Sequence, residues 1–193
     1  MPPDATDTKR RLLEAAGAEF AAFGLAGARV DRIAEAAEAN KRLIYVHFGN
    51  KEDLFDLVVA RALARLAEDV PFDAEDLPGY AGALFDYLLD DPQILRLTTW
   101  AQLERSKSTA AEIDAYRPKI EAIGLAQRAG TVTDTAEPAD VLSIVLALAT
   151  AWANASPALR TLAKDPAWDR PRVQAHRRAM IEATRAAIGF DPA

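Results

Sequence analysis

The chain of 193 residues contains no cysteine and only two histidines, His47 and His176. The first absence excludes disulfides and thiolate metal ligands, and the second argues against a multi-histidine metal centre. Also missing are a cysteine nucleophile, a histidine set for a relay with Ser and Asp, and a glycine-rich phosphate loop, so no catalytic arrangement, metal or cofactor is expected. No run of about 20 apolar residues could span a bilayer. The opening MPPDATD lacks the basic and apolar regions of an export signal, which makes the cytoplasm the expected compartment. Nowhere does the chain show a convincing strand alternation.

What is present is helix-forming: Ala, Leu, Glu and Arg throughout, with 50% hydrophobic residues, enough for a sizeable core. The expected fold class is all-α. A first helix is predicted from about Asp7 to Phe23, with Leu12, Ala16, Phe20 and Phe23 on one side and Gly24 as its terminator. Helices follow over 51–70, 77–90, 93–107 and 110–129, the last of which Pro118 should kink or interrupt. The segment ADVLSIVLALATAWANA, 139–155, is apolar on almost every side. It should be either a central core helix or one that shares its faces between the core and a partner chain. A final helix over 170–188 carries Val173, His176, Met180, Thr184 and Ala187 along one side.

Between the first helix and the long helix opening at Lys51 lies RVDRIAEAAEANKRLIYVHFGNK, from Arg29 to Lys51. Val30, Ile33, Ala34 and Ala37 recur at i, i+3, i+4 and i+7, the stripe of a helix with one buried face. A second short helix should start at Asn40, whose side chain can cap it, and bury Ile44 and Phe48. Its remaining surface offers Lys41, Arg42, Leu43 and Tyr45, with His47 and Lys51 just beyond: cations, an apolar tip and groups that reach phosphate oxygens. A compact helix with a basic N-terminal end fits a major groove about 12 Å wide. The bland reading is an ordinary solvated basic face.

Gly24, Val30, Ile33, Ala34, Ala37, Ile44, Tyr45, His47, Phe48, Asn50, Lys51, Glu52 and Leu54, in that order, resemble the N-terminal domain of the tetracycline repressor (TetR) family of bacterial transcription regulators. The resemblance implies a helix-turn-helix DNA-binding domain over 1–52 and a helical ligand-binding and dimerisation domain over 53–193. It also implies a homodimer built through the last two long helices, a double-stranded, near-palindromic operator, and repression relieved by a small-molecule effector. Three departures stand out. Arg29 replaces the hydroxyl residue that commonly grips a phosphate; a phosphate contact from Arg29 is still expected. Glu38 occupies the corner position where the family has Gly, and at positive φ a non-Gly residue costs on the order of 1 kcal/mol. Arg42 stands where many members have a small residue, and it could read guanine or clamp a phosphate.

Charge is unevenly spread. The whole chain carries −6, yet from Lys9 to Lys51 eight basic side chains outnumber five acidic ones, leaving −9 on the remainder. That asymmetry permits a DNA-reading end on an acidic body. For the effector, expected to be hydrophobic or aromatic, the candidates are Phe85, Trp100, Leu103, Glu104, Tyr116 and Trp152, with Glu104 available to pair with a cation. The alternative class is an all-α small-molecule carrier or enzyme that keeps an unused helix-turn-helix.

Overall fold

A computed structural model describes residues 5–163 and 169–189; most of the opening segment read against an export signal lies outside the described residues. Among the described residues all regular structure is helical, in agreement with the expected class. Contacts divide the chain into two compact units. The first comprises the residues up to Leu66 together with Asp91–Ile113, and the second comprises Ala67–Asp90 and the residues from Asp114 onward.

The first unit begins with α1 (Ala5–Gly27), whose regular part ends at Gly24, where φ is +69°. Leu12, Ala16 and Phe20 are fully buried, each large one worth about 1.5–3 kcal/mol of apolar transfer. Phe20 meets Phe55 edge to face at 5.0 Å. Phe23, expected on the same inner side, is instead 48% exposed and lies beneath the Arg32 guanidinium at 4.3 Å. Helix α2 (Val30–Ala36) buries Ile33 and Ala34, and α3 (Lys41–Phe48) buries Ile44 and Phe48. Helix α4 (Lys51–Asp69) is opened by a reciprocal cap: Asn50 Oδ1 accepts from Asp53 N at 2.7 Å, and Asp53 Oδ2 accepts from Asn50 N at 3.3 Å.

Helix α5 (Leu77–Asp90) belongs to the second unit, but α6 (Gln93–Glu104) returns to the first. The compact unit therefore does not end where α3 ends. The cause is local: Ile94, Leu97 and Ala101 form a buried stripe on α6, and Leu97 and Ala101 join the core that α1 and α4 build. Helix α7 (Ala110–Ala129) runs on through Pro118 without interruption, although the missing N–H removes one rung of its ladder.

In the second unit α8 (Pro138–Thr150) is shorter than the apolar segment predicted for it, which ends in turns. It is not buried all round. Val141, Leu142, Val145 and Ala149 face the core, whereas Ser143, Ile144 and Ala147 are exposed. After the short α9 (Pro157–Thr161) comes α10 (Arg170–Ala187), capped by Asp169, with Met180 and Thr184 buried and Ala187 exposed. Helices α5, α8 and α10 pack on one another. No described helix is long and apolar enough to cross a membrane, and no described cluster of His, Cys, Asp or Glu could hold a metal ion.

Candidate nucleic-acid interface

The corner between α2 and α3 is made by Glu38, the only non-glycine described residue with positive φ, at +49°. This is the position at which the sequence departs from Gly. The corner survives because the backbone is held from both sides: Glu38 N donates to Glu35 O at 3.0 Å and Ala39 N to Ala34 O at 2.9 Å. Asn40 then caps α3, its Oδ1 accepting from Arg42 N at 2.8 Å. With Ile44 and Phe48 anchored in the core, the helical period turns Lys41, Arg42, Tyr45 and Val46 outward.

The predicted contact residues do not all share one face. Lys41, Arg42 and Tyr45 share the exposed face of α3, with Tyr45 at 49% exposure. Leu43 does not share it: the side chain is half-buried and packs on the core. The apolar tip of that face is Val46, 65% exposed, which the sequence reading passed over although it lies one position beyond Tyr45 on the same helix. His47 is half-buried with its ring against the edge of Phe48, and Lys51 is half-buried at the start of α4. Arg29 precedes α2 as an extended residue with an exposed side chain, and it makes no side-chain cap.

Two of these cations are already engaged. Lys41 Nζ lies 2.7 Å from Asp31 Oδ1, and this hydrogen bond raises the lysine above its ordinary range and holds the carboxyl below its own. Lys51 Nζ donates to Ala28 O at 3.3 Å and to Ala26 O at 3.5 Å, which fastens the end of α1 to the start of α4. Arg42 has no ion pair among the described residues, so its guanidinium is the group on α3 with the fewest commitments.

Glu19 is a structural support of the α2 start that sequence reasoning missed. Its Oε1 accepts from Arg29 N at 2.8 Å and from Arg32 Nε at 2.8 Å, which fixes the start of α2. Burial pushes this carboxyl up, but the Arg32 guanidinium and the Arg29 N–H outweigh it and hold it below the usual range. A signal was present. Counting from Leu12 and Ala16, the helical period reserves position 19 for an apolar residue, and an acid there demands partners.

The effector candidates do not form one set. Trp100, Leu103 and Glu104 lie in the first unit, where Trp100 Nε1 donates to Ala21 O at 3.3 Å, Leu103 is 72% exposed, and Glu104 accepts from the backbone N–H groups of Leu25 and Ala26. Phe85, Tyr116 and Trp152 lie in the second unit, where Tyr116 is 40% exposed. There, His176 of α10 comes 5.4 Å from the ring of the buried Phe85 and 5.8 Å from Trp152, and the Arg172 guanidinium lies 4.6 Å over Trp152.

Comparison with known proteins bears on the family. Residues 12–58 match the family described as bacterial regulatory proteins, tetR family. Residues 76–186 match the tetracyclin repressor-like C-terminal domain. The HTH-type transcriptional repressor SCO4008 of Streptomyces coelicolor is 39% identical over 163 residues, covering 82% of this chain and 84% of that protein. The HTH-type transcriptional repressor NicS of Pseudomonas putida is 27% identical over 125 residues, 61% of this chain and 59% of that one. The crystal structure of SCO4942 from Streptomyces coelicolor superimposes with a TM-score of 0.83 at 38% identity, covering 95% of this chain and 99% of its own. The chain belongs to the tetR family of bacterial DNA-binding transcription regulators.

Proposed function

We propose that this protein is a homodimeric repressor that acts in the cytoplasm on a near-palindromic operator and is released by a small hydrophobic or aromatic effector. The observation that carries the DNA reading is the capped helix α3, which turns Lys41, Arg42, Tyr45 and Val46 to one exposed face. In this reading Arg42 contacts a base edge or a phosphate, Val46 joins Tyr45 as the apolar part of the contact, and Arg29, Lys41, His47 and Lys51 meet phosphates. Lys41 exchanges Asp31 for a phosphate on binding, a small loss because exposed ion pairs contribute little. Residues 1–52 act as the reading domain and the remainder as the regulatory one.

Dimerisation is supported by what one protomer leaves uncovered. On α8 the exposed Ser143, Ile144 and Ala147, and on α10 the exposed Ala175, Ala179, Ala183 and Ala186, are small or apolar residues suited to close helix approach across a two-fold axis. The effector reading rests on the rings of Phe85, Trp152 and His176, which bring a flat apolar surface together with a titratable nitrogen. Glu104 is not assigned to the effector, because its carboxylate is already bound to backbone N–H groups.

The test is selection of bound duplexes from random DNA, followed by titration of the enriched site with a panel of aromatic and aliphatic compounds. The proposal expects a palindromic site and at least one compound that releases the protein from it. A single unpaired half-site would remove the dimer, and a protein that selects nothing would remove the repressor.

A further inference from the structure

Helix α6 meets the end of α1 with three side chains at i, i+4 and i+8, and each supplies what the backbone opposite it lacks. Where α1 runs out, the carbonyls of Ala21 and Ala22 have no helical donors to spare. Arg96 donates to Ala21 O from Nε at 2.6 Å and to Ala22 O from Nη2 at 3.4 Å, and Trp100 Nε1 donates to Ala21 O at 3.3 Å. Past Gly24 the polarity reverses: the free groups are now the N–H donors of Leu25 and Ala26, and Glu104 Oε2 accepts from both, at 3.2 Å from Ala26. Gly24 is required for this fit. Its φ is +69°, and a Cβ there would stand 2.8 Å from the Trp100 ring and 2.9 Å from Glu104 Oε1.

Ala26 is the pivot. Its N–H is held by Glu104, and its carbonyl accepts from Lys51 Nζ, which also reaches Ala28 O. We infer that Glu104 is a positioning residue for the DNA grip: it fixes the Leu25–Ala26 turn, and that turn fixes the Lys51 ammonium that meets a phosphate. The inference rests on the proposed phosphate contact of Lys51. It also makes a prediction opposite in sign to simple electrostatics, since deleting a carboxylate from a protein that binds a polyanion should otherwise tighten binding.

The experiment is a double-mutant cycle with Glu104→Ala and Lys51→Ala, measured as operator affinity against salt concentration. Glu104→Asp and Glu104→Gln accompany it, and thermal unfolding is followed for every variant. Glu104→Ala should bind about three- to tenfold more weakly, the scale of one charge-assisted hydrogen bond partly transmitted. Its salt slope should fall by about 1, as for loss of one phosphate contact, and its effect should vanish in the Lys51→Ala background. Glu104→Gln, which keeps an acceptor oxygen, should restore most of the affinity. Glu104→Asp keeps the charge but shortens the reach, so it should weaken binding even if Glu104→Ala does not fold. Tighter binding by Glu104→Ala, or effects of Glu104→Ala and Lys51→Ala that simply add, would overturn the inference alone. An unchanged salt slope for Lys51→Ala would remove the phosphate contact and the inference with it.

Discussion

The two compact units treat their ionisable groups in opposite ways. In the first, the perturbed groups among the described residues are pushed toward their charged forms. Hydrogen bonds and ion pairs lower Asp7 and Asp31 and raise Arg10 and Lys41, and in Glu19 and Glu112 they overcome burial to lower the carboxyls as well. In the second, Tyr80, Lys119 and His176 are pushed toward their neutral forms. Burial raises Tyr80 to about 12, lowers Lys119, whose Nζ donates to Tyr80 Oη at 3.1 Å, and, with help from Arg172, lowers His176. In the first unit partners stabilise the charged forms, whereas in the second burial opposes them. The same chain thus separates a region of paired charges from one of desolvated groups.

The sharpest way to break this contrast is at the reading face. Arg42→Ala should remove roughly 1 to 3 kcal/mol of preference at one base position in each half-site, read by competition among operator variants. A uniform loss over all sequences would make Arg42 a phosphate clamp. Lys51→Ala should instead weaken binding to every duplex alike and reduce the salt slope by about 1. A change confined to one base pair would contradict its assignment.

Smaller effects probe each unit by itself. Replacing Glu38, held at φ +49°, with glycine should stabilise the first unit by up to about 1 kcal/mol in denaturant unfolding, because the strain of a Cβ at positive φ is relieved. A loss of stability would mean that the Glu38 side chain contributes more than the strain removes; Arg11 lies 4.0 Å from it. In the second unit, His176 has its folded value below the ordinary 6.5. Its contribution to stability is therefore full above the unfolded value and is lost as pH falls through the folded one. Scanning the unfolding midpoint from about pH 7.5 to about pH 5 should show a modest decline that His176→Gln flattens. An unchanged slope in that variant would clear His176 of the effect.

Much of the fold could be read in advance because periodicity and capping are local. Gly24 ends the regular part of α1, Asn40 caps α3, and α5 and α7 run over the residues predicted for them. What escaped was whatever depends on contacts distant in sequence. Neither the return of α6 to the first unit nor the use of Glu104 by a turn nearly eighty residues earlier leaves a mark in local pattern. Leu43, read as the apolar tip of α3, packs on the core and Val46 is the exposed apolar residue, because a short helix leaves its exact rotation to the core that anchors it. Phe23 was misplaced for another reason: an aromatic ring at the right spacing can be covered by an arginine instead of the core. Glu19 alone had a legible signal, an acid on the apolar stripe of α1.

In the proposed function two copies of the capped helix α3 read DNA together. Selection of duplexes from a random pool by the full chain tests it most directly. Two inverted half-sites are expected, their centres one helical turn apart, about 34 to 36 Å, or a multiple of that spacing. Enrichment of a lone half-site, or of no sequence at all, would contradict it.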